Sequence, residues 1–397
     1  LQYIVSIMKA VVYGVSTEGY SIAKALALKG IDVAMIDEGK GMAISIKPDI
    51  AISYVSVNAF LEDEQLLKFE PESNAIESAD YIFFTPIVKR LGQEAYNEIL
   101  GKLKVIAKHL KGNSTFVYCI PTGIGGNKDI LDIIERASGM NTANKKGSSS
   151  NINYCYMPIM PDGMVYIVGS NSKIDQLIYS VCEQLNMNTN INVRYMDVDS
   201  AEIIYAIKVL ANYMPIVTSF EVCKGIDESI YSTLINEKWL SDVFIDDLTM
   251  ALFDMHMLAN SMENSILVHM VNNCIRSIEG YSKHLVDRIR QILKRNDIRA
   301  SRTRILITWS IDSNSMRNDR MITLTSLASK LRDYIGEVNR YDNSTNISIY
   351  HDEKTLLILT CSRLDHERVM SRYSKEGRDN VIIIKANPMC EVVSKIK

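Results

Sequence analysis

The chain has 397 residues, 47% of them hydrophobic and 23% charged, with 44 basic against 47 acidic side chains and a formal net charge of −3. This is a globular composition, long enough for two or three domains with cores of their own. Its near-neutral balance gives no global field for nucleic acid or an acidic membrane.

Seven scattered cysteines without a C-x-x-C pair and six scattered histidines supply neither a zinc spacing nor a disulfide framework. No metal is expected, and a reducing, cytoplasmic location fits. No uninterrupted apolar run of about 18 residues occurs, so the sequence predicts no membrane span. The opening "LQYIVSI" lacks a charged n-region and is too short for a signal peptide; Met8 is expected to be the natural start.

In chain order, "KAVVYG" (9–14) reads as a buried strand and "TEGYSIAKALALKG" (17–30) as a helix ending on Gly30. "DVAMID" (32–37), "ADYIFFTP" (79–86) and "STFVYCIP" (114–121) read as further strands. Continuous apolar strands separated by helices point to a parallel sheet covered on both faces. The polar stretch "NTANKKGSSSN" (141–151) reads as a loop, followed by strands near 152–157 and 164–168 and a helix at 172–185. From Asp199 the pattern changes. No proline lies between Pro215 and Pro388 and no glycine between Gly225 and Gly280, which predicts a long helical centre. A second alternating unit begins near Arg302, with strands at "RILITWS", "EVNRYD", "TLLILTC" (355–361) and "NVIIIKA" (380–386), and a helix at "ITLTSLASKLRDYIG" closed by Gly336.

The first strand–helix turn, "GVSTEG" (14–19), has the context of a dinucleotide phosphate loop. Gly14 occupies the tight-turn position and Gly19 the position that lets helix and strand pack closely. Asp37 ends the second strand about 20 residues on, where an acid bonds ribose hydroxyls. The middle glycine is Ser16, whose Cβ points into the space the pyrophosphate would fill, with Thr17 next to it. The loop therefore reads either as a weakened NAD site or as a Rossmann turn that has lost its cofactor. "GIGGN" (123–127) could also cradle a phosphate, with a plain loop as its alternative reading. The basic run 288–304 reads as a solvated helix and linker rather than a polyanion site.

The order of these units, with several segments inside them, resembles the UDP-glucose/GDP-mannose dehydrogenase family, including UDP-N-acetylmannosamine dehydrogenase-like members. "ADYIFFTP" is similar to the family's strand ending in Thr-Pro, which puts Thr85 beside the cofactor. "YCIPTG" (118–123) is similar to its Ser-Thr-Val-Pro-Pro-Gly turn, and "AEIIYAIKVLAN" (201–212) to its central helix. "WSIDSNSMRNDR" (309–320) and "GEVNRYD" (336–342) are similar to its C-terminal nucleotide segment, where Arg317 keeps the family's arginine.

The resemblance implies two Rossmann-like parallel-sheet domains joined by a long helical region, bounded at about 8–197, 198–298 and 299–397. It also implies NAD, a nucleotide-sugar (UDP-sugar) substrate and a homodimer formed through the central helices. The family's chemistry oxidises a sugar alcohol twice, trapping the aldehyde on a thiolate, with Lys and Asn at the oxyanion and a carboxylate for proton transfer. Here those groups are not matched. The stretch that corresponds to the thiol loop, "ALFDMHMLANSMENSIL" (251–267), has no Gly and no Cys. Cys274 lies nearby among helix formers, and Cys223 comes too early. The helix Lys falls on Tyr205, with Lys208 close by, the Asn on Val209, the Glu on Ile159 and the C-terminal Lys on Ser310. No catalytic residue is therefore assigned. The expected cofactor side is Gly14, Ser16, Thr17, Gly19, Asp37 and Thr85, with Arg317 on the substrate side. A side-chain plug at Phe253, Met257 or Met262 is expected where substrate would lie.

Overall fold

A computed structural model describes residues 8–63, 68–142, 151–225, 241–262, 265–341, 355–373, 381–389 and 392–395. Residues 143–150 of the expected polar loop lie outside this set. Contacts group the chain into two compact units. The first holds residues up to Val209 together with His256–Val268 and Asp312–Asn318, and the second holds Leu210–Met255, His269–Ile311 and Asp319–Lys397.

The first unit is built on nine strands: β1 (Lys9–Tyr13), β2 (Asp32–Asp37), β3 (Met42–Ile46), β4 (Phe69–Pro71), β5 (Tyr81–Phe84), β6 (Thr115–Tyr118), β7 (Asn153–Tyr156), β8 (Ile167–Ser170) and β9 (Arg194–Met196). Its helices are α1 (Thr17–Ala27), α2 (Pro48–Ser53), α3 (Val57–Glu62), α4 (Glu72–Ser78), α5 (Gly92–Ala107), α6 (Gly126–Ser138) and α7 (Gln176–Leu185). The sheet runs β4-β3-β2-β1-β5-β6-β7-β8-β9. Strands β2, β1, β5, β6 and β7 are parallel, as the continuous apolar runs predict.

Beyond them the sheet turns antiparallel, at β2–β3–β4 on one side and β7–β8 on the other. After β2 the chain therefore returns in a hairpin instead of crossing over through a helix. The side-chain period of two divides the two faces of the sheet. Val12, Phe83, Val117 and Cys155 face the core beneath α1 and α7. Tyr13, Phe84, Tyr118 and Tyr156, the last residues of four neighbouring strands, lie in register as a row of rings with centroids 5.4, 5.5 and 6.4 Å apart.

The described part of the central region is helical: α8 (Val198–Cys223), α9 (Ile245–Thr249), α10 (Leu252–Ser261) and α11 (Ile266–Arg295). In the stretch that resembles the thiol loop, α10 covers 252–261 and α11 starts at 266, with residues 263–264 outside the described set. Helix α8 corrects one sequence expectation, because it is long and apolar enough by length and composition to cross a membrane. Asn212, Tyr213 and Pro215 interrupt any single apolar run, while the mean hydropathy stays high enough to pass. One face of it is buried, through Glu202, Tyr205, Val209, Val217 and Phe220.

The second unit carries a five-stranded sheet of β10 (Thr303–Thr308), β11 (Glu337–Tyr341), β12 (Thr355–Thr360), β13 (Val381–Lys385) and β14 (Val392–Lys395), ordered β11-β10-β12-β13-β14. All pairs are parallel except β13–β14. Helices α12 (Asp319–Arg332) and α13 (Arg363–Tyr373) belong to it. The segment leading into α9 lies on the carboxyl ends of these strands. Ile245 N donates to Ala386 O at 2.8 Å, Asp246 N to Cys361 O at 3.2 Å, and Trp309 Nε1 to the Asp246 carboxylate at 2.8 Å.

Candidate functional site

In an open α/β sheet ligands lie outside the carboxyl ends of the strands, where the strand order reverses. In the first unit that point is between β1 and β5, and the sequence places the glycine loop there. Gly14 has φ +103°, and a Cβ on it would collide with the Thr85 carbonyl. A Cβ on Gly19 would collide with Thr85 Oγ1. Both glycines thus serve the close approach of α1 to β1 and β5. Thr85 is fully buried, and its hydroxyl donates to Tyr13 O at 3.1 Å. Its role in this structure is to be the surface the two glycines pack on.

Ser16 turns inward. Its hydroxyl donates to Thr85 O at 2.8 Å and accepts from Gly19 N at 3.0 Å, capping α1 as a serine N-cap does. Thr17 N donates to Asn314 O at 2.8 Å, and the Thr17 hydroxyl donates to the Asp312 carboxylate. The Glu18 carboxylate accepts from Ser315 Oγ and from Met316 N, both at 2.9 Å. The start of α1 is therefore covered by the chain's own segment Asp312–Asn318.

That segment continues past the carboxyl end of β5. Val88 N donates to Met316 O at 2.9 Å, and Val88 pairs with Arg317 in a parallel bridge. Met316 is 2% exposed and joins the core beneath α1. Arg317 is buried too, donating to Ile159 O and, at 3.3 Å, to the Tyr205 hydroxyl. A dinucleotide needs the α1 amides and the space in front of them for its pyrophosphate. With the Thr17 and Gly19 amides engaged and residues 312–318 laid over them, this arrangement does not fit the group.

Asp37 also points to local structure. Its carboxylate accepts from Gly39 N at 3.0 Å and Lys40 N at 3.3 Å, and its carbonyl from Gly41 N at 2.9 Å, so it closes the β2–β3 hairpin. The "GIGGN" turn likewise already holds an anion. The buried Glu202 carboxylate accepts from Thr122 Oγ1 at 2.8 Å, Gly125 N at 2.7 Å, Asn127 N at 2.9 Å and Asn127 Nδ2 at 2.9 Å. Ser261 of α10 accepts from Ile124 N at 2.8 Å, which seats the end of that helix on the same turn. The sequence reading named 309–320 as a nucleotide segment and 201–212 as the central helix, but missed the contacts that Glu202 and residues 312–318 make, since neither makes them with its sequence neighbours.

The positions aligned with the family's reactive groups are packing residues. Tyr205, Val209 and Ile159 are buried, and the Tyr205 ring stacks edge-on against Tyr156 with centroids 6.5 Å apart. Ser310 is bound to Asp365 through both its amide and its hydroxyl. Cys274 is buried on α11, where burial and the nearby Glu221 carboxylate raise its thiol pKa, the opposite of what a nucleophile needs. Of the side chains expected to plug the substrate space, Phe253 and Met257 are buried and Met262 is half-buried. No cluster of three or more potential metal ligands occurs among the described residues.

No protein-family model matches the chain, and no curated protein matches it. Solved structures do. The UDP-D-ManNAc dehydrogenase from Pyrococcus horikoshii is similar over 96% of each chain, with a TM-score of 0.59 at 14% identity. The UDP-glucose dehydrogenase from the hyperthermophilic archaeon Pyrobaculum islandicum is similar over 98% of this chain and 96% of its own, with a TM-score of 0.58 at 11% identity. The UDP-N-acetyl-mannosamine dehydrogenase from Staphylococcus aureus covers 89% of this chain, with 88% of its own length matched, a TM-score of 0.53 and 14% identity. At these identities the likeness establishes the fold. It is the α/β architecture with parallel sheets expected from the sequence.

Proposed function

We propose that this chain is a divergent nucleotide-sugar dehydrogenase relative that does not carry out the thiol-dependent, two-step oxidation. It acts instead as a non-catalytic nucleotide or nucleotide-sugar binding protein, or as a partner of an active enzyme, in the cytoplasm. The observation that carries this reading is the replacement of the expected polar groups by Tyr205, Val209 and Ile159, all three buried in packing. A buried thiol with a raised pKa cannot take over the trapping step, and losing a catalytic nucleophile commonly costs several powers of ten in rate.

NAD is the cofactor that ancestry assigns to the glycine loop, with Asp37 set against the 2′-phosphate of NADP; the engaged Thr17 amide and the cover of residues 312–318 support weakened or lost binding. Arg317 is the residue that ancestry assigns to the nucleotide-sugar. The assembly is a homodimer through α8. The deciding experiment incubates purified protein with NAD and UDP-glucose or UDP-N-acetylmannosamine and follows NADH. No acid product is expected. Two equivalents of NADH per sugar, abolished by thiol alkylation, would overturn the reading.

A further inference from the structure

The second unit gathers cations at the amino ends of its strands, opposite the carboxyl ends on which the segment before α9 lies. Six of the chain's eighteen arginines, with Lys294, fall between 288 and 304, and Asp297 is the single acid among them. From sequence this run reads as a solvated helix and linker. The fold adds a second source of charge. Helix α11 ends at Arg295, Asp297 turns the chain with φ 53°, and a short 3-10 turn at Ala300–Arg302 delivers it to β10. Arg304 at the start of β10 pairs with Glu337 at the start of β11, at 2.8 Å. The last turn of α12, with Lys330 and Arg332, comes to the same edge just before β11. The Arg290 guanidinium lies over the Tyr334 ring, 4.7 Å from its centroid, and so ties the ends of α11 and α12 together.

Helix dipoles draw cations to helix carboxyl ends, which accounts for Lys294, Arg295, Lys330 and Arg332. It does not account for Arg299 and Arg302, which come after the end of α11 and are exposed. Of the acids nearby, Asp287 and Glu337 are paired with Arg290 and Arg304. Asp297 and Asp333 are what remains to offset the other cations.

We propose that this surface docks single-stranded nucleic acid, holding phosphates on Lys294, Arg299, Arg302 and Arg332 and stacking a base on Arg290. The inference goes beyond the proposed function and does not depend on it. The planar fork of arginine matches phosphate oxygens two at a time. Arg290 is already set as a stacking plane. Tyr334 backs one of its faces, Asp287 holds one edge at 3.1 Å, and the side chain is still 46% exposed. Unpaired bases stack on such a plane, and a duplex hides them from it. A membrane surface would call for apolar anchors among the cations. Among the described residues no exposed large hydrophobic lies between 283 and 337.

The test follows the anisotropy of a labelled oligouridylate of about twelve nucleotides on addition of the full chain, across a salt series. With about four phosphates held, log K should fall against log salt with a slope of about −3. Arg299→Glu/Arg302→Glu is expected to weaken binding about 100-fold and to flatten the slope to about −1.5. Arg290→Lys keeps the charge and loses the plane, so affinity should fall about 10-fold with the slope unchanged. Lys104→Glu/Lys108→Glu, exposed on α5 of the first unit, makes the same change in net charge and should bind like wild type. If the first variant does not fold, Arg299→Gln/Arg302→Gln decides, with a loss of about 10-fold. An equal loss in the α5 variant overturns the proposal, since binding would then follow net charge alone. No binding by wild type at about 50 mM salt overturns it too, as does tighter binding of polyglutamate or of phosphatidylserine vesicles at the same salt. Formation of NADH from a UDP-sugar would sink the earlier reading and leave this one to be judged on binding.

Discussion

The Glu202 carboxylate accepts hydrogen bonds from both the backbone and the side-chain nitrogen of Asn127, each at 2.9 Å. Together with Gly125 N and Thr122 Oγ1, these donors surround one carboxylate at the N-terminus of α6. An ionised carboxylate suits that place twice over, by hydrogen bonding and by the helix dipole. Glu202→Ala would leave buried donors without an acceptor and is expected to lower stability by about 3 kcal/mol. Glu202→Gln, which keeps one acceptor oxygen, should cost about half of that. Urea denaturation of the three proteins checks the order, and equal midpoints would contradict it.

Asp37 should behave as a hairpin residue before anything else. Its carboxylate engages the Gly39 and Lys40 amides, as an aspartate does in an Asx turn. Asp37→Ala is expected to destabilise by about 1 kcal/mol, and Asp37→Asn, which keeps the acceptor oxygen, by only a few tenths. Thermal melts without added nucleotide are the check. No loss in the Ala variant would remove the structural role and return Asp37 to a purely ligand-facing one.

This residue also shows how far the sequence could be read. Apolar runs "DVAMID" and "MAISI" flank "EGKG", a glycine-containing hairpin signal, but the acid at the end of β2 drew the reading toward a ribose contact. The strands and helices around the loop were legible because apolar periodicity and caps are local properties. The cover that residues 312–318 lay over α1 was not. Resemblance marked "DSNSMRN" as part of a nucleotide segment, but its packing lies in contacts nearly three hundred residues away, such as Ser315 with Glu18. Glu202 was hidden in the same way, since an acid in the first turns of a helix is unremarkable until its partners in another turn are seen.

Asp246 sets an expectation for pH. It is half-buried beside Arg320, at 3.0 Å, and accepts from Trp309 Nε1 at 2.8 Å. Burial raises its pKa above the ordinary 3.8, over the opposing pull of Arg320 and the indole N–H, with Asp365 adding to the rise. The folded state therefore holds this proton more tightly than the unfolded chain. Its contribution is fully present below the unfolded pKa and is lost as pH rises through the folded one. Denaturation midpoints taken upward from about pH 4 should show a falling component that Asp246→Asn removes. The same titration should change Trp309 emission in the folded protein. A variant with the wild-type pH slope would refute the assignment.

The last expectation concerns α8 and the proposed homodimer. The helix is 26 residues long, about 39 Å, and its outer face is almost without charge. Ile203, Ile207 and Val222 are 47%, 59% and 62% exposed, and Ala211, Pro215 and Thr218 are exposed between them. This face can pair with itself. In an antiparallel crossing centred between Met214 and Pro215, Ile207 of one copy meets Val222 of the other and the small Ala211 meets Thr218. A two-fold axis makes each of these contacts twice, so one substitution is felt twice. Ile207→Glu would bury a carboxylate against Val222 at two places, an expected cost of about 4 kcal/mol per dimer, or roughly a thousandfold in dissociation constant. Sedimentation should show a dimer for wild type and a monomer for Ile207→Glu, with unchanged helical content. Ile52→Glu, an exposed site on α2, should remain dimeric. A wild-type monomer at high micromolar concentration would rule out this pairing.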